Sequence, residues 1–248
     1  MQTLANIGLL ISGIRGLMYL DAFVHNEVIP NIAIVMGSDS LEIRSRYPET
    51  FWEKYRKFFD IDKNLAYYKS RFSLLDIQVN NPDINSSDLK KIILKREELF
   101  FIFSGGGIIK PELLNIGKRF IHIHSGILPE YRGSTCFYYS ILKENLAGAT
   151  AFFMQSKLDL GDMIAKKIFN IPKIEESDWF FFDLIFDPWI RAQLLYEVIK
   201  LYKEKETFCF EPQDQSKGAT YFIIHPLLKN LAIRKCVRKK EEKLFTIN

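Results

Sequence analysis

Two histidines one residue apart precede an acidic turn by about one βα unit. His122 and His124 close an apolar run, and Asp159 follows 26 residues after Gly133 in the segment Leu-Asp-Leu-Gly-Asp. An imidazole and a carboxylate at the ends of neighbouring strands are the groups that proton transfer at an amine requires. The types and spacing of these residues therefore indicate acid–base chemistry at one edge of a sheet.

The same residues also allow plainer interpretations. A single strand histidine is commonly a buried, hydrogen-bonded side chain, and an Asp-x-Gly segment is commonly only a turn. A His-x-His pair occurs in metal sites too, but no third ligand lies nearby in sequence, so we predict no metal site. His122 and His124 share one strand face and lead into a Gly/Pro turn, which favours the catalytic interpretation.

Further polar and glycine residues lie beside these groups. Tyr131, Arg132 and Gly133 directly follow a proline turn. Arg132 is suited either to gripping a phosphate or carboxylate with both guanidinium ends or to bracing the loop through backbone carbonyls, and the sequence leaves both open. The run 105–107 is all glycine, which permits close backbone approach to a ligand, but it lacks the spacing of a nucleotide-phosphate loop.

Apolar runs that alternate with segments of helical period must position these residues. This alternation is typical of an α/β fold, here a Rossmann-like, mostly parallel twisted sheet with helices on both faces and a smaller C-terminal extension. Such sheets bind ligands at the carboxyl ends of their strands. We predict strands at 7–11, 31–36, 77–79, 99–103, 119–124 and 148–154, a short strand near 208 and a late strand at 219–224. Helices are predicted at 14–25, within 40–75, after a cap at Ser86 or Ser87, from Pro111, at 134–146 and at 179–205.

We expect a catalytic domain over residues 1–175 and an extension of helix and short strands over 176–248. The basic residues of the last fifteen positions form a solvated terminus or, alternatively, a phosphate-binding segment. These are Arg234, Lys235, Arg238, Lys239, Lys240 and Lys243.

Composition narrows the class of protein. The 248 residues are 48% hydrophobic and 14% aromatic, which is enough to bury a large core. The net charge of +4 is mild, and no basic stripe with interleaved aromatics predicts nucleic-acid binding. Three cysteines without paired spacing indicate a reducing compartment. No signal peptide or membrane-length apolar run is evident, so we expect a cytoplasmic protein without a membrane span.

The segment from Leu99 to Ile164 resembles the catalytic core of the folate-dependent formyltransferases. This family includes glycinamide ribonucleotide formyltransferase, methionyl-tRNA formyltransferase and the bacterial sugar N-formyltransferases. Its members carry a small-residue loop after a strand, the motif Asn-x-His-Pro-Ser-Leu-Leu-Pro-x-Tyr-Arg-Gly, and an Asp-x-Gly loop. In this chain the matching segments are 104–109, 122–133 and 159–161. A weaker likeness extends over the N-terminal strands and the segment 212–221, and so covers the chain to about residue 225.

The resemblance implies transfer of a formyl group from 10-formyltetrahydrofolate, as co-substrate, to a primary amine. His124 would stabilise the tetrahedral intermediate or relay a proton, and Asp159 would position His124 and help to deprotonate the amine. By the same likeness, the folate would contact Ser104, Gly105, Gly106, Ile108, Gln155 and Leu158. The acceptor would contact Tyr131, Arg132 and Gly133.

Two departures from the family motif affect this expectation. His122 stands where the family has Asn, and Ser125-Gly126 stands where it has Pro-Ser. An imidazole N–H donates a hydrogen bond as an amide N–H does, so we expect His122 to be a third catalytic residue that binds the developing oxyanion. Loss of such a donor raises a reaction barrier by about 2.7–4 kcal/mol.

Three features bear on the acceptor. The chain is short for a core of this size joined to a transfer-RNA-binding domain, and it is longer than a minimal purine-pathway enzyme needs. Trp179, Trp189 and the aromatic run 180–182 offer stacking surfaces, although such aromatics commonly belong to a core. We therefore expect the acceptor to be an amino sugar carried on a nucleotide diphosphate, for surface polysaccharide or glycan synthesis, with a homodimer as an option. The alternatives are a non-catalytic relative that binds folate or nucleotide sugar, and a formyl-folate hydrolase.

Overall fold

The computed structural model describes residues 1–37, 43–175 and 178–237. Most strands of the described chain join one seven-stranded sheet, and two short ones form a separate ribbon. The strands are β1 (Gln2–Ile11), β2 (Val28–Met36), β3 (Asp76–Val79), β4 (Phe100–Phe103), β5 (Arg119–His124), β6 (Tyr131–Gly133), β7 (Ala147–Phe153), β8 (Met163–Phe169) and β9 (Ala219–Tyr221).

Helices connect these strands. They are α1 (Gly13–His25), α2 (Glu49–Tyr55), α3 (Leu65–Phe72), α4 (Ser87–Leu94), α5 (Pro111–Leu114), α6 (Cys136–Glu144), α7 (Asp187–Lys205) and α8 (Pro226–Cys236). A 3-10 turn, Arg44–Arg46, precedes α2, and a π-helical turn, Phe182–Phe186, leads into α7.

The large sheet runs in the order β3-β2-β1-β4-β5-β7-β8. The first five strands in this order are parallel, whereas β7 pairs antiparallel with both β5 and β8. The expectation of a mostly parallel α/β sheet is confirmed. The central strands β2 and β4 are nearly continuous apolar runs, as expected of strands that helices cover on both faces.

The two faces of the sheet have separate hydrophobic cores. Leu9 and Ile11 of β1 pack with α1, α6 and α7, whereas Leu10 between them packs with α4 and α5. This alternation follows from the two-residue period of a strand. Helices on both faces therefore bury residues 7–11 of β1, the stretch predicted as a buried strand.

The described residues after 175 pack into the core of the residues before them and do not build a separate one. Leu194 and Leu195 of α7 are fully buried in the same core as α1. Ala232 and Ile233 of α8 belong to this core too, so α7 and α8 both pack onto the predicted catalytic domain. The predicted basic terminus is partly the last turn of α8, which holds Arg234 and Lys235. The other four basic residues named above lie outside the described residues.

The chain departs from the predicted strands at several places, and β6 is one strand that the prediction lacked. The predicted strand near Phe208 is wrong: only a single bridge forms there, between Glu211 and Met163. The late strand is shorter than predicted, because β9 ends at Tyr221. β8 was not predicted, because its alternating charged residues carry no continuous apolar run.

Within the described ranges, no helix has the length and apolar composition needed to cross a membrane. The parallel strands β1, β4 and β5 end at one edge of the sheet, and the loops that follow them meet there.

Candidate active site

A cleft of about 340 Å³ opens at the carboxyl ends of β1, β4 and β5. Both predicted histidines and the predicted aspartate line this cleft. They meet because the histidines lie on β5 and the aspartate follows β7, the strand that pairs with β5. The lining consists of Arg15, Gly105, Gly106, Gly107, Ile108, His122, His124, Ser125, Gly133, Ser134, Thr135, Met154, Leu158, Asp159 and Arg191.

His124, the last residue of β5, is buried, and a hydrogen bond from its Nε2 holds the ring. Its Nε2–H donates to the carbonyl oxygen of Tyr131 at 2.8 Å, and its Nδ1 lies 3.6 Å from Oδ2 of Asp159. Gly126 makes room for this ring, because a Cβ at that position would lie 2.6 Å from Nε2. Burial lowers the pKa of His124, and the Asp159 carboxylate opposes that shift. The neutral ring therefore presents an unprotonated Nδ1 beside the Asp159 carboxylate. Once Nδ1 takes a proton, this carboxylate stabilises the resulting imidazolium.

Asp159 is held by a backbone N–H from one segment and a side-chain amide from another. Its Oδ2 accepts a hydrogen bond of 2.7 Å from the backbone N–H of Gly133. The Gln213 side chain donates to the carbonyls of Asp159 and Gly161, at 3.0 and 2.5 Å, which fixes the turn. Gly133 has φ of +103°, and a Cβ there would overlap the carbonyl oxygen of Tyr221. Only glycine fits this position, so the pairing of β6 with β9 also determines where Asp159 lies.

His122 lies one pleat below His124 on the same face of β5. Its Nδ1 lies 3.2 Å from the carbonyl oxygen of Phe103, which can only accept, so Nδ1 carries the proton. Burial, with help from the Arg191 and Arg15 charges, lowers the pKa of His122 well below its usual value. The neutral ring therefore turns a lone pair, not an N–H, toward the cleft. The expected donation from His122 to an oxyanion is not what this geometry provides, because the carbonyl of Phe103 takes the only N–H.

Arg191 was not predicted from the sequence, although it lines the floor of the cleft. Its Nε donates to both carboxylate oxygens of Asp187, its Nη1 to the carbonyl of Ile123 at 2.6 Å, and its Nη2 to Oγ of Ser125 at 2.6 Å. These bonds hold the backbone of Ile123 and the side chain of Ser125, the two residues that flank His124. The i,i+4 spacing of Asp187 and Arg191 on α7 was the available signal, but it did not indicate the cleft.

Arg15, in the first turn of α1, holds the glycine loop from below. Its Nη1 donates to the carbonyls of Ser104 and Gly105 at 3.0 and 3.1 Å, and its Nη2 lies 3.7 Å from Asp187. Its Nε is buried without a hydrogen-bond partner among the described residues. Two guanidinium groups around one carboxylate leave the floor of the cleft net positive.

The residues predicted to contact folate fall into two groups. Gly105, Gly106, Ile108 and Leu158 line the cleft. Ser104 lies behind the loop, where its Oγ donates to the carbonyl of Leu10 and accepts from the backbone N–H of Ser12. Gln155 lies outside the cleft; its side chain donates to the carbonyl of Leu160, and it lines a separate hollow beside Arg119.

Of the residues predicted to contact the acceptor, only Gly133 reaches the cleft. The Tyr131 hydroxyl bonds to the Glu144 carboxylate at 2.6 Å. Arg132 donates to the carbonyls of Lys217 and Gly218, which is the bracing alternative, and it does not contact the cleft. Tyr131 and Arg132 therefore act on the site through the shape of the loop that carries Gly133.

Across the described part of the chain, no group of three or more His, Cys, Asp or Glu side chains is arranged to hold a metal ion.

Comparison with known proteins confirms the resemblance to the formyltransferases. Residues 89–179 match the family model described as formyl transferase. The methionyl-tRNA formyltransferase of Listeria innocua serovar 6a is 35% identical over 108 residues. That alignment covers 42% of this chain and 34% of the relative, so the chain spans about a third of that protein's length.

Solved structures share the fold at low sequence identity. The N-formyltransferase of Helicobacter canadensis, solved in complex with folinic acid and dTDP-3-aminofucose, aligns with a TM-score of 0.54 at 16% identity. The alignment covers 88% of this chain and 70% of that one. The phosphoribosylglycinamide formyltransferase of Anaplasma phagocytophilum aligns with a TM-score of 0.59 at 15% identity, covering 88% of this chain and 97% of that one.

Proposed function

We propose that this protein is an N-formyltransferase that moves a formyl group from 10-formyltetrahydrofolate to a primary amine. The observation that carries the proposal is the meeting of His124 and Asp159, 3.6 Å apart, at the rim of the sheet. Both residues belong to the segment that matches the formyl transferase family. A general base and a carboxylate that stabilises its protonated form are what deprotonation of an attacking amine needs.

The contacts of the two residues suggest how they divide the work. Nε2–H of His124 is committed to the Tyr131 carbonyl, so Nδ1 is the nitrogen free to exchange a proton with a substrate. A proton taken at Nδ1 lies 3.6 Å from the Asp159 carboxylate, which lowers the free energy of the imidazolium. The same Nδ1 can return this proton to the nitrogen that loses the formyl group. Asp159 keeps its orientation through the Gly133 N–H.

The glycine loop gives the formyl donor a surface to lie on. A Cβ added at Gly106 or Gly107 would meet no atom within 4 Å, so the loop's backbone faces open space. The cleft volume of about 340 Å³ lies in the range of small-molecule sites. We infer that 10-formyltetrahydrofolate, which supplies the formyl group, is held between this loop and Leu158. The folinic acid complex of the Helicobacter canadensis protein supports that choice.

For the acceptor we propose an amino sugar carried on a nucleotide diphosphate. The support is structural: the Helicobacter canadensis neighbour was solved with dTDP-3-aminofucose, and it aligns with 88% of this chain. Methionyl-tRNA is the second candidate acceptor, because the sequence relatives are named methionyl-tRNA formyltransferases. A homodimer and a cytoplasmic location stay predictions.

Mass spectrometry of acceptor mixtures tests this function. The protein is incubated with 10-formyltetrahydrofolate and either a dTDP-linked amino sugar or methionyl-tRNA, and the acceptor that gains one carbonyl unit is identified. His124→Ala and Asp159→Ala should abolish the product, while His25→Ala, on the exposed end of α1, should leave it unchanged. Formate released without an acceptor would identify a hydrolase, and folate binding without any product would identify a non-catalytic relative.

A further inference from the structure

We propose that His122 is a proton acceptor that contacts the attacking amine through Nε2, and not a hydrogen-bond donor to the formyl oxygen. The proposal rests on the formyl transfer proposed above and assigns a second base to that site. It reverses the role that the family's Asn suggested for this position.

The hydrogen bond of His122 determines which ring nitrogen carries the proton. Nδ1 lies 3.2 Å from the carbonyl oxygen of Phe103 on the neighbouring strand β4. A carbonyl has no proton to give, so Nδ1 must be the donor. A neutral imidazole has one N–H, and Nε2 is therefore left with a lone pair.

Nε2 faces the cleft. It has no hydrogen-bond partner within the described ranges, and it is not among the side-chain nitrogen and oxygen atoms that are sealed off from solvent. His122 itself lines the cleft with His124 and Asp159. The Phe103 and Phe152 rings, with centroids 6.1 and 6.0 Å from that of His122, flank the imidazole.

The charges around His122 keep the ring neutral. Arg191 from α7 and Arg15 from α1 face it from the floor of the cleft, and His124 faces it from its own strand. Asp187, which could otherwise favour an imidazolium, is paired with both guanidinium groups. Burial and these cations together lower the pKa of His122 well below 6.5, so Nε2 keeps its lone pair at neutral pH.

The proton balance of formyl transfer requires two acceptors when the substrate arrives as an ammonium ion. The nitrogen–formyl carbon bond forms, and the bond from the formyl carbon to the folate nitrogen breaks. The ammonium loses two protons: one passes to the leaving folate nitrogen and one to solvent. His124, beside Asp159, is placed to carry the first proton to the folate nitrogen. Nε2 of His122 accepts the second proton, which then passes to solvent.

Nitrogen-detected NMR of the histidine side chains tests the tautomer without any turnover. The protein contains four histidines, so His122→Asn assigns the signal by its loss. At pH 7 we expect a neutral ring with Nδ1 protonated and Nε2 bare. A protonated Nε2 at this pH would overturn the proposal, whether or not the protein transfers formyl groups.

The pH dependence of kcat/KM tests the role. Each pH unit below the amine's pKa leaves about tenfold less neutral amine. The wild-type protein, which takes a proton from the bound ammonium, should lose less than this on going from pH 8.5 to pH 6. His122→Asn should show the full tenfold loss per unit, because an amide is not a base. His122→Gln serves as a second variant if the first unfolds, and His25→Asn is the matched control.

The outcomes separate this proposal from the proposed function. A His122→Asn protein that equals or exceeds the wild type at every pH would show a donor role and overturn the proposal. A pH-independent loss in the variant would do the same. A wild-type protein that formylates no amine would refute the proposed function itself, and the NMR result would still report the tautomer.

Discussion

Replacement of Arg191 by Met is a sharp test of how the cleft is held. The Arg191 side chain is only 10% exposed and bonds to Asp187, to the carbonyl of Ile123 and to Oγ of Ser125. Methionine fills a similar volume but donates no hydrogen bond. Asp187 would then keep Arg15, whose Nη2 is 3.7 Å away, and its hydrogen bond with the Ser125 side chain.

The expected magnitude follows from removal of one partner of a buried pair, which costs about 3–5 kcal/mol. Natural domains are stable by only about 5–15 kcal/mol, so this is a large share of the free energy of unfolding. At about 2–4 °C per kcal/mol for a chain of this size, the melting temperature should fall by about 6–20 °C. Urea and thermal unfolding followed by circular dichroism measure both quantities.

Two further variants serve as controls for this test. Arg56→Met removes ion pairs of an exposed arginine with Asp60 and Asp62, and should leave stability unchanged. Arg191→Lys keeps a positive charge beside Asp187 and should therefore lose less stability than Arg191→Met. The reasoning is refuted if Arg191→Met loses less than about 1 kcal/mol or if Arg191→Lys is no more stable than Arg191→Met.

Three other results are expected. Gly133→Ala should lower formyl transfer at least tenfold and destabilise the fold, because its Cβ would overlap a backbone oxygen and shift the N–H that orients Asp159. Burial lowers the pKa of His122 and His124, so the unfolded chain binds protons that the folded chain does not. The free energy of unfolding should therefore fall as pH drops below about 6.5, by up to about 1.4 kcal/mol per pH unit for each ring. His122→Asn should remove the contribution of one ring to this pH dependence. Iodoacetamide at neutral pH should label exposed Cys209 and spare buried Cys136, because burial raises the pKa of the Cys136 thiol to about 12.

Each of these has a contrary outcome. Wild-type activity in Gly133→Ala would mean that the β6–β9 ribbon does not position the Asp159 carboxylate. A stability that stays constant between pH 7 and pH 5 would mean that the histidines titrate as in the unfolded chain. Rapid labelling of Cys136 in the folded protein would contradict its burial; mapping the alkylated peptides decides this.

Local signals predicted the central strands and several helix starts. β5 spans Arg119–His124 as predicted, because its apolar run ends at a Gly/Pro turn. Ser86 caps α4 by accepting from the Leu89 N–H, and Pro111 begins α5. Continuous apolar runs and caps are properties of neighbouring residues, so the sequence displays them directly.

Contacts between distant segments were beyond this kind of prediction. The tautomer of His122 depends on a carbonyl from the neighbouring strand, and the Arg15–Asp187–Arg191 cluster joins two helices far apart in sequence. The strands β6 and β9 have three residues each, and they pair although they lie far apart in the sequence. None of these long-range contacts has a periodicity or local composition that would indicate it.

His124 and Asp159 are expected to act together on a primary amine at the rim of the sheet. The most direct measurement is formylation of a dTDP-linked amino sugar by the wild-type protein, followed by mass spectrometry, beside folded His124→Ala and Asp159→Ala proteins. We predict a formamide product with the wild type alone. Equal product from wild type and variants, or no product with any primary amine in the presence of 10-formyltetrahydrofolate, would contradict the account.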